Sequence, residues 1–347
     1  MSSSVDKSSG TQSLLTGQNI VYAGIAWAVV SMLFFLLFSV KAPGEDYPFW
    51  YSFSTYLLEC LPFLGAALLC YRNWRSPQIA SGRNVWLGIG LGMFFYFIAN
   101  LIFGIWELYF SLDPDVSPAD FFYVISYICI GWGMILAVLP RRLNLEWKQW
   151  LTVGLIAALG IALAVWVLLA PPVAIESEAE TSLWLRTEQA TETPSPLLVA
   201  STVPQVAVSP TELAVVTPTA EAPEATNLPS WVISLDKALS PLSRTLNFVY
   251  IVFDVFLLII ASTLLLAFWG GRFAQSWRMI AAATFSLYIA DMGFKVYDAL
   301  AKARGQEYES GGLLDVFFIF SAVLFAIGAA LEYDVSSRSR RSSRRRT

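Results

Sequence analysis

The chain has 347 residues, of which 56% are hydrophobic, 15% aromatic and only 14% charged, with a mean hydropathy of +0.59 and a formal net charge of −4. A soluble domain carries nearer a quarter charged residues, so this composition excludes an ordinary water-soluble globule and points to a membrane protein. Histidine is absent, which removes the commonest ligand for haem, zinc and copper and the commonest general base near neutral pH.

Spanning a hydrocarbon layer of roughly 30 Å takes about 20 apolar residues in a helix. Eight segments meet that length: 19–40, 49–71, 85–110, 118–140, 149–170, 245–269, 277–301 and 313–332. The short alternating runs of a membrane barrel are not seen. Residues 1–18 are polar and read as a disordered tail. The first segment lacks a small-x-small cleavage pattern before Lys41, so it reads as a retained anchor.

The loops alternate in charge. Arg72, Arg75 and Arg83 follow the second segment, Arg141, Arg142 and Lys148 the fourth, Arg272 and Arg278 the sixth, and an arginine-rich tail the eighth. The intervening loops hold Glu45 and Asp46, Asp113 and Asp115, and Glu307 and Glu309. The positive-inside rule then puts both termini in the cytoplasm of a multi-pass protein, here expected in a bacterial plasma membrane. Aromatic belts are expected to match: Trp74, Trp86, Trp147, Trp150, Trp269 and Trp277 at the cytoplasmic ends, Tyr47, Trp50, Tyr51, Trp106 and Tyr109 at the outer ends.

Residues 171–229 form an outer linker rich in Pro, Thr and Glu, with eight Glu against one Arg. Such a segment cannot bury enough apolar surface to fold alone. Residues 230–243 follow as an interfacial amphipathic helix, with 231, 232, 235 and 239 on one face. Residues 244–334 carry the last three spans, and 335–347 are a basic cytoplasmic tail expected against anionic lipid headgroups rather than nucleic acid.

Two stretches say nearly the same thing. Asn100 and Glu107 match Asp291 and Asp298, each pair seven residues apart, and Asp120 matches Asp315 at the start of the next segment. Upstream, Glu59 lies fifteen residues before Trp74 and Asp254 fifteen before Trp269. The expected architecture is therefore all-α: eight transmembrane helices as two parallel four-helix repeats. The first repeat is 19–140, and 141–170 opens the second with a loop and the fifth helix. An axis along the membrane normal would relate the halves, with any site near their interface. Gly88 and Gly92 in the third segment, and Gly154, Ala158 and Ala162 in the fifth, offer small-residue faces for close packing.

Candidate binding residues are Glu59, Asn100, Glu107, Asp254, Asp291, Lys295 and Asp298. An ionised carboxylate at the bilayer centre costs roughly 2.5–3.5 kcal/mol on insertion scales, so each must be protonated, paired or facing water. One reading is a polar pocket for a cation, a proton or a cationic ligand. The other is a set of interhelical hydrogen bonds to tyrosine and serine hydroxyls. Asp291, Lys295 and Asp298 share one helix face and could form a charge ladder. The Asp-x-x-x-Lys spacing also resembles the last helix of microbial rhodopsins, but their third-helix Arg/Asp/Trp pattern is missing and eight spans do not fit seven. Ser117, Pro118 and Asp120 read as N-cap, N1 and N3 of a helix, while Glu107 and Asp298, at helix C-termini, should face neighbouring helix N-termini or a cation.

Cys60, Cys70 and Cys129 lie in apolar runs and read as small buried residues. No catalytic motif, metal-ligand spacing or cofactor signature is present, and the loops on the basic side are too short to house an enzyme.

The duplicated marks resemble the multi-helix membrane input modules that bacteria place ahead of GGDEF and EAL output domains. The shared marks are the acids Glu59 and Asp254, the Asn100/Asp291 position, the pairs Trp106-Glu107 and Tyr297-Asp298, and the helix starts Ala119-Asp120-Phe121 and Leu314-Asp315-Val316. That resemblance implies a sensory or ligand-binding module. Its signal would pass to a separate cytoplasmic partner, since the chain carries no output domain. A proton- or cation-coupled transporter using Glu59, Asp254 and Asp291, and a structural subunit of a larger membrane complex, are the alternatives.

Overall fold

A computed structural model describes residues 16–40, 47–112, 116–139, 146–169, 228–268, 274–302 and 311–344. Its helices are α1 (Gly17–Phe38), α2 (Phe49–Arg75), α3 (Arg83–Leu108), α4 (Ala119–Val138), α5 (Trp147–Leu169), α6 (Ser230–Leu239), α7 (Ser243–Ala267), α8 (Ala274–Lys302) and α9 (Val316–Arg344). No strand occurs among the described residues. Eight helical spans are long and apolar enough to cross a membrane, with α6 and α7 counted as one. The all-α, eight-span expectation holds. Residues 1–15, most of the 171–229 linker, the acidic loop residues, Arg141, Arg142, Arg272 and Trp269 lie outside the described residues.

Local chemistry sets the helix boundaries. Thr16 caps α1 by accepting from Asn19 N. Gly82 precedes α3 at φ 100°, a conformation that only glycine adopts without strain. Arg72 and Arg75 end α2, where cations complement the helix dipole. At α4, Asp120 Oδ2 accepts from Ser117 N at 2.8 Å while Ser117 Oγ accepts from Ala119 N at 3.2 Å. This reciprocal pair is the capping arrangement expected from the sequence, although Pro118 itself is the capping residue. α9 runs unbroken to Arg344, so 335–344 of the basic tail are helical and continuous with the last span.

Six helices close a ring. α2 packs on α3, α3 on α4, α4 on α7, α7 on α8, α8 on α9, and α9 back on α2. α1 lies outside the ring against α9, and α5 lies outside against α7 and α8. One apolar core draws on all six ring helices, and its members sit mainly in the halves of these helices nearest the arginine-bearing ends. Trp86 and Trp277 meet there, ring centroids 6.1 Å apart and both without exposure. A Cβ on Gly88 would lie 2.7 Å from Gly133 Cα, so α3 and α4 touch backbone to backbone.

Several expectations about faces fail for one reason: hydropathy does not distinguish a lipid-facing ring from a core ring. Trp86 and Trp277 are core residues, not belt residues, and Tyr51 and Trp106 are buried as well. Trp147, Trp150, Trp50 and Tyr109 are exposed, as belt residues should be. On α5 the small-residue face 154, 158 and 162 is exposed, and nothing lies within 4 Å of a Cβ on Gly154. The packed face is instead Val153, Gly160 and Ala164. On α6 Val232 is buried, while Trp231 is exposed yet meets the rings of Trp106 and Phe110.

Candidate functional site

The acids converge in the other half of the ring, away from the arginine-bearing ends. Asp254 sits near the middle of α7 and is buried. Its Oδ1 accepts from the Tyr127 hydroxyl of α4 at 2.7 Å. The same hydroxyl is hydrogen-bonded to Asp291 Oδ2 of α8. A phenol has one proton, so it can donate to only one of these carboxylates and must accept from the other. The Asp254–Tyr127–Asp291 bridge has room for a shared proton between the two carboxyls.

Lys295 completes this group. Its Nζ lies 3.8 Å from Asp254 Oδ2 and 5.7 Å from the centroid of the Tyr250 ring. Lys295 thus pairs across to α7 while also interacting with Asp291 one turn away on its own helix, as the sequence spacing suggested. One turn of helix places Lys295 and Asp291 on the same face, and α7 presents Asp254 to that face. Tyr250, also on α7, donates to Asp120 Oδ1 at 2.7 Å. α4 supplies Asp120, Tyr123 and Tyr127 from one face, because they are three and seven residues apart.

Glu59 and Asn100 form the adjoining part. Tyr123 donates to Asn100 Oδ1 at 2.7 Å. The Asn100 side chain also lies beside the Glu59 carboxyl, with Asp315 and Asp291 nearby. Asn100 Nδ2 is buried yet closes no hydrogen bond of good geometry. Glu59 and Asp291 sit deep among the helices and keep only a little accessible surface. Tyr96 stacks on Phe63 at 4.1 Å and meets Tyr123 edge-on at 4.9 Å, forming an aromatic wall.

The structure brings Glu59, Asn100, Asp254, Asp291 and Lys295 together. Glu107 stands further along α3, hydrogen-bonded to the Tyr56 hydroxyl of α2. Asp298 lies one turn beyond Lys295 and is partly exposed. Asp315 accepts from Gly311 N at 2.7 Å, and Gly311 (φ 94°) presents its carbonyl to the Tyr51 hydroxyl. Before α2, the Tyr47 hydroxyl donates to Ser39 O; burial pushes its phenol above its ordinary value, and the Asp315 carboxylate adds to this.

Sequence reasoning named tyrosine hydroxyls as partners for these acids but not which tyrosines. Tyr56, Tyr123, Tyr127 and Tyr250 each give a hydroxyl to an intramembrane acid or to Asn100. The available signal was the spacing of Tyr123 and Tyr127 from Asp120. No three His, Cys, Asp or Glu side chains gather to hold a metal among the described residues.

Fold and site together are those of an all-helical protein with eight spans long and apolar enough to cross a membrane and a cluster of carboxyl groups and tyrosines between them. No family model matches the chain, and no curated protein or solved structure is significantly similar to it.

Proposed function

We propose that this protein is a sensory or ligand-binding membrane module that takes a small cation into the cleft. The observation that carries this is the charge balance. Glu59, Asp254 and Asp291 share the site with one lysine. Three unpaired ionised acids would oppose insertion by roughly 8–10 kcal/mol. Tyrosine hydroxyls, Lys295 and one bound proton offset much of this, and a cation entering the cleft would offset the remainder.

A tandem duplication accounts for the arrangement. Ile89 and Ile280 lie eleven residues before Asn100 and Asp291, and Gly133 and Gly328 lie thirteen after Asp120 and Asp315. Ile89 packs on Gly133, and Ile280 packs on Gly328. The cleft then lies between the halves, with α4 of the first half bridging two acids of the second. Occupancy there would alter how α4 packs on α7 and α8. The closed, arginine-bearing base favours binding over passage. Charge asymmetry of the loops supports both termini in the cytoplasm of a bacterial cell, with a separate cytoplasmic partner receiving the signal.

The test is thermal melting of the protein in lipid nanodiscs across a series of monovalent cations at constant ionic strength. Saturable stabilisation by at least one cation, lost in Asp291→Asn, is expected. No cation-dependent shift would remove the reading. Proton-coupled transport is a second reading, favoured by the Tyr127 hydroxyl shared between the Asp254 and Asp291 carboxyls. It requires cation-driven proton flux in proteoliposomes, and no flux under any gradient would dismiss it.

A further inference from the structure

α6 (Ser230–Leu239) is not part of the ring, yet it is tied to the ring at both ends. It joins α7 (Ser243–Ala267) through one short 3₁₀ turn, Ser240–Leu242. Pro241 lies in that turn and has no N–H, so it cannot donate to the Lys237 carbonyl four residues back. The Ser240 hydroxyl donates to that carbonyl instead, at 3.3 Å. A proline-bearing 3₁₀ turn between two α-helices has the build of a hinge.

The other tie is aromatic. The Trp231 ring meets the rings of Trp106 and Phe110, where α3 ends, with centroids 6.1 Å and 5.8 Å apart, and Val232 is without exposure. α4 stands between α3 and α7 in the ring, so α6 crosses the start of α4. Val116, Ser117 and Ala119, which lead into α4, are all buried. The first turns of α7 are loosely covered by comparison. Arg244, Thr245, Asn247 and Phe248 are exposed, and the first buried residue is Ile251. Tyr250, just before it, donates to Asp120 Oδ1 in the first turn of α4. A series of contacts therefore runs from Trp106 through Trp231, the hinge and Tyr250 to Asp120.

The aromatic tie is a balanced one. Trp231 remains 56% exposed, and the Trp106 Nε1–H is buried without a hydrogen-bond partner. An unsatisfied buried donor is costly, and lifting Trp231 would open the Trp106 ring to water. Ring packing holds α6 down while the unpaired N–H opposes it, and segments that move are drawn from such weakly held elements.

We propose that α6 is a releasable strap: docked through Trp231 it holds the first turns of α7 across the start of α4, and release at the Pro241 hinge loosens the Tyr250–Asp120 contact. An event acting on α6, which follows the 171–229 linker in the chain, would in this way reach the helix that carries Asp254. The inference does not depend on what the acidic cluster binds.

The experiment is hydrogen–deuterium exchange of the full-length protein in lipid nanodiscs, read by mass spectrometry. In the parent, 230–249 should exchange faster than 251–267; equal protection of the two would overturn the strap. Trp231→Ala should speed exchange across 240–250 by about tenfold, through loss of two ring contacts, and leave 274–290 at the parent rate. A disulfide between Phe110→Cys and Trp231→Cys, with Cys60, Cys70 and Cys129 replaced by alanine, should slow exchange across 240–250, and reduction should reverse this. Trp147→Ala, exposed at the arginine-bearing end, should match the parent. Faster exchange confined to 230–239 in Trp231→Ala would make α6 a cap without hold on α7 and overturn the inference. No change across 240–250, or an equal rise across 274–290, would overturn it as well.

Discussion

Asn100 and Trp86 lie on the same helix, fourteen residues apart, or about 21 Å of α-helical rise. Around Trp86 the ring of helices is filled: Trp277 meets it, Gly88 touches Gly133, and Ile89, Met134 and Phe325 are fully buried. Around Asn100 the same helices carry carboxyls and phenols, and Glu59, Asp291, Tyr123 and Tyr250 keep some accessible surface. The difference follows from residue size and polarity. Glycine lets backbones meet, and dispersion then holds the base together without any hydrophobic drive between helices in lipid. Tyrosine keeps helices at ring width and carries a hydroxyl that can satisfy an acid.

Changes at the two ends should therefore differ in kind. The largest effect is expected from Asp254→Ala, which leaves the Lys295 ammonium in a mostly buried site without its partner. Removing one member of such a pair costs about 3–5 kcal/mol, measurable as loss of unfolding free energy in detergent. Asp254→Leu with Lys295→Met should recover most of that stability but not the cation response. Full recovery of the response would mean the pair has no part in binding.

Next comes the base. A Cβ on Gly133 would stand 2.7 Å from Ile89 N and 2.8 Å from Val85 O, so Gly133→Val must part α3 from α4. Overpacking of this kind costs about 3 kcal/mol. Gly154→Val, where nothing lies within 4 Å, should leave the melting curve unchanged. Equal losses at both positions would contradict the assigned packing.

Tyr127→Phe removes the hydroxyl shared by Asp254 and Asp291. A loss of about 1–2 kcal/mol is expected, together with a weakened cation response. Asn73 gives its Nδ2 to Ala329 O at 2.8 Å in the base. Asn73→Ala should cost about 1 kcal/mol and leave the cation response intact. If Asn73→Ala abolished the response and Tyr127→Phe did not, the division between base and cleft would be misplaced.

Much of this was legible in the residues. Eight apolar runs gave eight spans, because length and hydropathy alone decide what can cross a bilayer. Acids inside such runs are costly enough that they had to meet, and Glu59, Asp254 and Asp291 do. What each span turns inward was not legible. Trp86 looks like a belt tryptophan and Gly154 like a packing glycine, but α3 is wedged closely between α2 and α4 while α5 rests on the outside of the ring. Lys295 could be placed beside Asp291 and Asp298 by helical spacing. That Asp254 would take it depended on α7 packing against α8, which no local pattern encodes.

The most direct test of base against cleft is thiol labelling in oriented vesicles. Cys60, Cys70 and Cys129 would be replaced by alanine, and single cysteines placed at Glu59 in the cleft or Met134 in the base. A membrane-impermeant maleimide should label Glu59→Cys only from the side of the 171–229 linker and should not reach Met134→Cys from either side. Labelling of Met134→Cys, or protection of Glu59→Cys from both sides, would contradict an open acidic cleft above a closed base.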